Sequence, residues 1–232
     1  MATVLLPNNL PEHFTSFIGR RHEREQALGA LAGTRLLVLT GPGGCGKTRL
    51  ALETAAASGE SFPDGVWWVD LTALGHGDQV AGALASVLGV QPLPGRTHTQ
   101  AAVMHLADNH ALVVLDNCEH VSDGAADLCE ALLRGCPQAA VLATSRSPLR
   151  IPGETDWQVP PLSLPSTDTP GEIARSDAGA LFLERSAKVR PEFALSDENA
   201  AAVARICRNV DGLPLAIELA SARVRMLSPE QI

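Results

Sequence analysis

The feature that most constrains this chain is one eight-residue run, Gly41-Pro42-Gly43-Gly44-Cys45-Gly46-Lys47-Thr48, which fits the pattern G-x-x-x-x-G-K-[ST]. The apolar run Leu36-Leu37-Val38-Leu39 leads into it, and Leu50, Ala51 and Ala55 follow with helical spacing. The glycines allow consecutive backbone N–H groups to turn inward around oxyanions, where a Cβ would obstruct. A strand, this loop and a helix in that order predict a phosphate-binding loop (P-loop).

The polar residues of the P-loop have separate predicted tasks. Lys47 supplies a mobile positive charge to the β- and γ-phosphates of a nucleotide, and the Thr48 hydroxyl is suited to ligate Mg²⁺. The helix that begins near Lys47 adds its positive N-terminal end. Cys45 is either a thiol activated by these positive groups or a small buried side chain. We expect the nucleotide to contact one continuous set of residues: Gly41, Pro42, Gly43, Gly44, Cys45, Gly46, Lys47, Thr48 and Arg49.

Composition limits the other classes of function. A length of 232 residues with 45% hydrophobic residues is enough for one large domain or two small ones. No apolar run approaches the roughly 18 residues of a membrane span, and residues 1–11 lack the features of a secretory signal, so we expect a cytoplasmic protein with no membrane partner. The net charge of −8 argues against direct DNA contact by this segment. The five cysteines include no C-x-x-C pair, which predicts reduced and buried thiols.

Apolar runs that alternate with helical stretches predict the fold class. Four runs after the P-loop read as strands, namely residues 66–71, 111–115, 139–144 and a shorter one at 157–159. Strands that are apolar almost throughout imply a parallel sheet covered on both faces. We therefore predict the α/β class, with the three αβα layers of a P-loop NTPase.

A second, smaller domain is predicted after this sheet. Prolines between residues 145 and 176 prevent a long helix there. Beyond them, amphipathic patterns predict three helices, at Asp177–Val189, 197–210 and 214–227. We predict a nucleotide-binding α/β domain over residues 1–165 and a helical domain over residues 166–232.

The last residues resemble the beginning of a further helix. Ser228-Pro229-Glu230-Gln231 offers an N-cap serine, a proline at the first helical position and a capping-box glutamine. We therefore expect the helical domain to be truncated at its C-terminal end and other domains of a longer protein to follow.

Asp116 is the second predicted anchor of the nucleotide site. It ends the apolar run Leu112-Val113-Val114-Leu115, the arrangement by which P-loop proteins hold Mg²⁺ through its waters. The next residue, Asn117, stands where many hydrolytic P-loop ATPases carry a carboxylate that activates water, and an amide cannot accept that proton. Slow hydrolysis is therefore expected, and Asp or Glu at position 117 should accelerate it. Glu119 and His120 are the alternative bases.

Arg146 is the third candidate, because it leaves the fourth predicted strand in Thr144-Ser145-Arg146. An arginine at the carboxyl end of a strand, beside the phosphates, could sense a γ-phosphate, and the alternative is a surface arginine. The sequence Asn-Lys-x-Asp, which reads guanine in GTPases, does not occur, so adenine is preferred.

Five motifs follow one another in the order seen in NB-ARC domains: Thr15-Ser16-Phe17-Ile18-Gly19-Arg20, the P-loop, Leu115-Asp116-Asn117-Cys118-Glu119-His120, Ala143-Thr144-Ser145-Arg146 and Asp211-Gly212-Leu213-Pro214-Leu215-Ala216. The chain therefore resembles a STAND-class signal-transduction ATPase. More narrowly, it is similar to the ATPase segment of bacterial transcriptional regulators related to the antibiotic regulatory proteins and the large ATP-binding LuxR-type regulators. The similarity covers nearly everything from Asn9 to the end.

The resemblance implies further site residues. It implies that the fourth strand lies between the first and the third, which favours Arg146 as the sensor of the γ-phosphate. It also implies that Ile18 and Arg20, in an adenine-flanking segment over residues 9–33, line the nucleotide, and that Pro214 packs on adenine. In this reading Lys47, Asp116 and Arg146 act in catalysis, and Thr48 and Asp116 ligate the metal.

The function that we expect from these residues is an ATP- and ADP-binding switch with Mg²⁺ and slow ATP hydrolysis. Nucleotide bound between the two domains would set their angle, and flanking DNA-binding and sensor domains of the parent protein would read it. ATP-dependent self-association is a further expectation. The alternatives are a small-molecule P-loop kinase, which would need an acceptor pocket, and a catalytically silent nucleotide-binding scaffold.

Overall fold

The computed structural model of the chain describes residues 7–12 and 15–232. His13 and Phe14, which fall in the predicted adenine-flanking segment, and residues 1–6 lie outside the described residues. By their contacts, the described residues form two compact units. An α/β unit contains residues 7–12, 23–41 and 47–158, and a helical unit contains residues 15–22, 42–46 and 159–232. The predicted domain boundary at residue 165 remains a prediction. By contacts, the residues after Gln158 group with the helical unit.

The α/β unit is built on a five-stranded parallel sheet. Its strands are β1 (Leu36–Thr40), β2 (Val66–Asp70), β3 (Leu112–Asp116), β4 (Ala140–Ser145) and β5 (Thr155–Gln158). Their order is β2-β3-β4-β1-β5, and every neighbouring pair is parallel. The predicted fold class is confirmed, as is the expected position of β4 between β1 and β3. This order brings the carboxyl ends of β1, β3 and β4 to one edge of the sheet.

Both faces of the central strands are buried, which explains their unbroken apolar sequences. The helices that accompany this sheet are α1 (Arg21–Gly33), α2 (Lys47–Ala57), α3 (Val80–Val87), α4 (His98–Leu106) and α5 (Ser122–Gly135). One face packs with α3, α4 and α5 in a core that includes Val38, Val113 and Leu128. The alternate residues Leu37 and Leu39 are also fully buried, and α2 contacts β1, β3 and β4. Helix α2 therefore covers the opposite face.

A clamp that the sequence did not predict attaches the N-terminal segment to β2. The Asn9 side chain donates to the Trp68 carbonyl at 2.8 Å and accepts from the Trp68 N–H at 2.6 Å. Asn8 forms a parallel bridge with Val66. These bonds use backbone groups on the exposed side of an edge strand, which would otherwise lack partners.

The helical unit contains α6 (Pro170–Arg175), α7 (Asp177–Val189), α8 (Asp197–Asn209) and α9 (Pro214–Ala222). Phe182 and Ile217 are fully buried in its core. Gly212 begins the connection into α9 with a φ of 65°, and a Cβ there would lie 2.5 Å from the Leu162 carbonyl oxygen. Only glycine therefore allows this close approach.

The end of this unit differs from the sequence expectation. The helix predicted over residues 214–227 ends at Ala222 and continues as a 3₁₀ turn, Arg223–Arg225. Gln231 accepts a hydrogen bond from the Ser228 N–H at 3.0 Å, so half of the predicted capping box forms within a turn. Among the described residues, none of the helices combines the length and the apolar character that crossing a membrane requires.

Candidate functional site

The P-loop connects β1 to α2, as the sequence predicted. Gly41, Gly44 and Gly46 have φ values of 148°, 78° and 90°, a region that favours glycine. The Cys45 N–H donates to the Pro42 carbonyl at 3.4 Å and closes a turn within the loop. The three glycines therefore serve the conformation of the loop itself, a backbone arrangement in which successive amides are able to surround an anion.

Lys47 begins α2 and is buried, with a side chain that turns back to the start of the loop. Its Nζ donates to the Gly41 carbonyl at 2.8 Å. A buried ammonium group requires such partners, because desolvation disfavours its charge. The side chain is therefore held at the mouth of the loop, where a phosphate would be a stronger partner than a carbonyl.

Asp116 accepts several side-chain hydrogen bonds at the end of β3. It is 3% exposed, and its Oδ1 accepts from Thr48 Oγ1 at 2.9 Å and from Thr144 Oγ1 at 2.6 Å. Burial raises the pKa of this carboxyl above its usual value, although the two threonine hydrogen bonds oppose the shift and nearby Asp70 and Glu119 add to it. A cation that displaced the hydroxyl bonds would favour the ionised form.

Asn117 proves to be a structural tether. It adopts a left-handed conformation with a φ of 63°, which asparagine tolerates better than most residues. Its backbone N–H donates to Thr144 Oγ1 at 2.9 Å, and its Nδ2 donates to Thr72 Oγ1 at 2.8 Å and to Asp116 Oδ2 at 3.2 Å. The amide therefore fixes the orientation of Asp116. Thr72 and the role of Thr144 were missed from the sequence, because hydroxyl residues at strand ends are too common to be informative.

Arg146 follows β4 at the same edge of the sheet. Its side chain is 69% exposed, and its Nε donates to Glu119 Oε1 at 3.1 Å. His120, the other alternative base, has its Nε2 2.9 Å from the Leu71 carbonyl oxygen. The structure thus brings Glu119 to Arg146 and directs His120 to the backbone of a neighbouring segment.

Two of the residues implied by the resemblance lie beside the P-loop within the helical unit. Arg20 is 3% exposed, and its Nη2 donates to the Cys45 carbonyl at 2.6 Å and to the Pro160 carbonyl at 2.9 Å. A Cβ built on Gly46 would lie 3.6 Å from the Pro214 ring. Leu215, the residue after that proline, donates its N–H to the Gly44 carbonyl at 3.2 Å. The N-terminal turn of α9 therefore contacts the P-loop directly.

The remaining predicted nucleotide contacts are characterised mainly by their burial. Ile18 is partly buried against the core of the helical unit, and Arg49 is partly buried in the first turn of α2. All five cysteines are free and buried, as expected, and Cys45 is only 1% exposed. This burial favours the reading of Cys45 as a small packed side chain. The nucleotide contacts of Ile18, Arg20, Arg49 and Pro214 remain predictions.

The residues fit both ligands that the sequence predicts. The open amides of the P-loop, the Lys47 ammonium and the N-terminus of α2 suit phosphate. The Thr48 hydroxyl and the Asp116 carboxylate are 2.9 Å apart and offer oxygen, the ligand that Mg²⁺ prefers. Among the described residues, no group of three or more histidine, cysteine or acidic side chains could hold a metal ion.

A family comparison agrees with this geometry. The sequence profile described as AAA domain matches residues 31–150, which are 120 of the 232 residues. The chain belongs to the AAA domain family. The match begins in α1 and ends just after β4, so it contains the P-loop, Asp116 and Arg146 of this AAA domain.

Proteins with similar sequences occur in Mycobacterium and Streptomyces. An uncharacterized protein of Mycobacterium tuberculosis is 40% identical over 229 residues, which cover 99% of this chain and 56% of the relative. A second Mycobacterium tuberculosis protein, named as an HTH-type transcriptional regulator, is 44% identical over 202 residues, or 87% of this chain and 22% of the relative. The regulatory protein AfsR of Streptomyces coelicolor is 30% identical over 161 residues, or 62% and 16%. The chain thus spans about half of the first relative and less of the regulators.

Solved structures share the fold at low identity. A STAND protein with a tetratricopeptide repeat sensor from Pyrococcus horikoshii has a TM-score of 0.53 and 17% identity, covering 93% of this chain and 31% of that one. The Walker-type ATPase of Pyrococcus abyssi has a TM-score of 0.57 and 13% identity, covering 89% and 67%. These likenesses concern the fold. The chain thus shares its fold with a STAND protein and a Walker-type ATPase and part of its sequence with proteins named as regulators, as the resemblance predicted.

Proposed function

We propose that this AAA domain is an ATP- and ADP-binding switch that hydrolyses ATP slowly and serves as the regulatory ATPase segment of a signal-responsive transcriptional regulator. The observation that carries the proposal is the 2.9 Å hydrogen bond between Thr48 and Asp116. It joins the end of the P-loop to the end of β3, where Mg²⁺ must bridge protein and phosphate oxygens. The similarity to proteins named as regulators supports the regulatory half of the proposal.

The contacts of the P-loop suggest how nucleotide would be read. The carbonyls of Gly44 and Cys45 accept hydrogen bonds from the Leu215 N–H and from Arg20, and residues 42–46 cluster with the helical unit. Phosphates would bind the backbone amides of the same short loop. The loop would therefore contact the nucleotide through its amides and the helical unit through its carbonyls. A nucleotide that stabilises one loop conformation would therefore bias α9 and the segment that carries Arg20.

Slow turnover follows from the chemistry of position 117. The Asn117 amide donates both of its observed side-chain hydrogen bonds and cannot take a proton from water. We expect single-turnover hydrolysis well below the roughly 10 s⁻¹ that is typical of enzymes. A long-lived ATP state is useful in a switch, because its lifetime then sets the duration of the signal.

Calorimetric titration with ATP and ADP, with and without Mg²⁺, tests the binding half of the proposal. Phosphate release measured with and without small-molecule acceptors tests the reaction. Mg²⁺-dependent ATP binding with slow release of phosphate to water is the expected result. A phosphorylated acceptor would instead identify a kinase. Nucleotide binding with no phosphate release and no change in the hydrogen exchange of α9 would identify a scaffold. Size-exclusion chromatography in ATP and in ADP tests self-association.

A further inference from the structure

Glu119 has an unusual environment for a carboxylate in a surface turn. It lies in the 3₁₀ turn Cys118–His120 that follows β3, and its side chain is 22% exposed. Oε1 accepts from Arg146, whereas Oε2 is buried and has no hydrogen-bond partner among the described residues. Buried polar atoms are nearly always hydrogen-bonded, so this second oxygen has the capacity to accept a hydrogen bond from water.

The bond from Arg146 to Glu119 is suited to being broken. The arginine side chain is 69% exposed, and ion pairs of this kind contribute at most about 1 kcal/mol. Arg146 leaves the strand that lies between β1, which leads into the P-loop, and β3, which ends in Asp116. A terminal phosphate bound near Lys47 would be a stronger partner for the guanidinium than one partly exposed carboxylate.

The other candidate bases have hydrogen-bond partners of their own, and in His120 only Nδ1 keeps a basic lone pair. The Asn117 amide donates to Thr72 and Asp116 and has no basic lone pair on nitrogen. The Nε2 of His120 lies 2.9 Å from the Leu71 carbonyl oxygen. Asp116 accepts from two threonine hydroxyls and is the predicted metal ligand. Glu119 is the carboxylate in this turn with an oxygen left over for water.

We propose that Glu119 supplies the water-orienting carboxylate that position 117 lacks, and that Arg146 occupies this carboxylate until a γ-phosphate draws the arginine away. The inference rests on the proposed function. In the step, the water oxygen bonds to the γ-phosphorus, its proton passes to Glu119, and the bond from the γ-phosphorus to the bridging oxygen breaks to release ADP. The ion pair withholds the base from water whenever it forms in the ATP complex, and this competition for Arg146 slows hydrolysis.

The variant Glu119→Gln separates the two roles. Glutamine keeps the size of the side chain but cannot accept the proton and pairs less well with arginine. We expect single-turnover hydrolysis to fall about 100-fold, within the range of general-base contributions. We also expect ATP affinity relative to ADP to rise up to about fivefold, because Arg146 is released. Tighter ATP binding with slower hydrolysis distinguishes this role from a structural one.

Glu130→Gln is the matched control. Glu130 pairs with Arg134 at 2.5 Å on the exposed surface of α5, so the variant removes a comparable ion pair away from the sheet edge. It should change neither hydrolysis nor the ratio of ATP to ADP affinity. If Glu119→Gln behaves like this control, or weakens both nucleotides equally, the proposal is overturned.

A spectroscopic measurement tests the ion pair without any turnover. Nitrogen-15 NMR of the nucleotide-free protein should give an Arg146 Nε–H signal that exchanges with water up to about fivefold more slowly than in Glu119→Gln, the protection expected of an ion pair of this strength. Adding ATP with Mg²⁺ should shift this signal, and ADP with Mg²⁺ should shift it less. A signal that is insensitive to the Glu119 variant overturns the inference.

The two levels of proposal fail in different ways. If the wild-type protein binds no nucleotide, the proposed function itself is wrong. If it binds ATP but hydrolyses it no faster than buffer, or if Glu119→Gln retains the full rate, the switch remains and the role of Glu119 is rejected.

Discussion

The ends of β3 and β4 lie side by side at one edge of the sheet, yet they are built in opposite ways. At the end of β3, Asp116 is 3% exposed and receives hydrogen bonds from Thr48, Thr144 and Asn117. At the end of β4, Arg146 is 69% exposed and bonds to one carboxylate through its Nε.

This difference separates two tasks that a nucleotide switch must perform. A group held by several buried hydrogen bonds keeps one geometry, which suits a metal ligand needed in every liganded state. A group held by one exposed ion pair can change partners at little cost, which suits a detector of the phosphate that distinguishes ATP from ADP. We therefore expect nucleotide binding to depend on Asp116 at the fixed end of β3. We expect discrimination between ATP and ADP to depend on Arg146 at the mobile end of β4.

The largest effect is expected from Lys47→Ala, which removes the charge at the mouth of the P-loop. The loop keeps its amides but loses the ammonium group, and we expect ATP affinity to fall about 100-fold or more, since several charge-assisted hydrogen bonds are lost. Calorimetric titration measures the change. Lys188→Ala is the control, because the sequence has only these two lysines and Lys188 forms an exposed ion pair with Glu184. Unchanged affinity in Lys47→Ala would refute the P-loop assignment.

The fixed end of β3 is tested by Asp116→Ala. We expect ATP affinity in the presence of Mg²⁺ to fall about tenfold, whereas ADP affinity without Mg²⁺ should change little, because the carboxylate acts through the metal. Asp127→Ala is the control, since Asp127 is an exposed carboxylate on α5. Equal losses with and without Mg²⁺ in Asp116→Ala would point to a folding defect.

The parts of the molecule that the sequence predicted share a physical cause. The P-loop and Asp116 belong to local patterns, because glycine is needed at fixed backbone positions of the loop and an apolar strand that ends in a carboxylate is visible within five consecutive residues. The helix Asp177–Val189 was predicted to the residue, since its apolar periodicity and its Ser176 cap are local as well. Burial of the cysteines followed from their odd number and spacing.

The parts that the sequence did not predict depend on register. Thr144 reaches Asp116, and Asn117 reaches Thr72, across residues that are 28 and 45 positions apart. The clamp of Asn9 on Trp68 spans 59 positions. A single sequence carries no record of which residues become neighbours across strands. The ion pair of Arg146 with Glu119 was missed for the same reason, although both residues had been considered separately.

The mobile end of β4 is tested by Arg146→Ala. If the guanidinium moves to the γ-phosphate, its removal should lower the ratio of ATP to ADP affinity about tenfold, the value of one hydrogen bond between charged groups. Titrations with both nucleotides give the ratio. Arg134→Ala removes the arginine of an exposed ion pair on α5 and should leave the ratio unchanged. Equal weakening of both nucleotides would assign Arg146 to inner phosphates or to structure.

A smaller effect is expected at Asn117, where the structure changes the expectation from the sequence. A carboxylate at this position would lie next to Asp116 Oδ2, which is 3.2 Å from the present amide nitrogen. The like charges would repel, so we now expect Asn117→Asp to lower single-turnover hydrolysis a few-fold. Asn117→Gly is the control, because it keeps the left-handed backbone and removes only the amide. Faster hydrolysis in Asn117→Asp would restore the expectation that a base is missing here.

The smallest effect concerns stability and tests whether the fixed end carries a buried charge. The folded state raises the pKa of Asp116 above its usual value of 3.8, chiefly through burial. The protonated form is therefore favoured by folding, and the stability that Asp116 contributes is greatest below about pH 4 and declines as pH rises through the raised value. We expect the free energy of unfolding of Asp116→Ala to lie furthest below that of the wild type in acid and to approach it toward neutral pH. Urea unfolding of both nucleotide-free proteins between pH 4 and 7 measures this difference, with Asp127→Ala, an exposed carboxylate on α5, as the control. A difference that grows as pH rises would mean that the hydrogen bonds from Thr48 and Thr144 outweigh burial and that Asp116 is stabilised as an anion before any metal arrives.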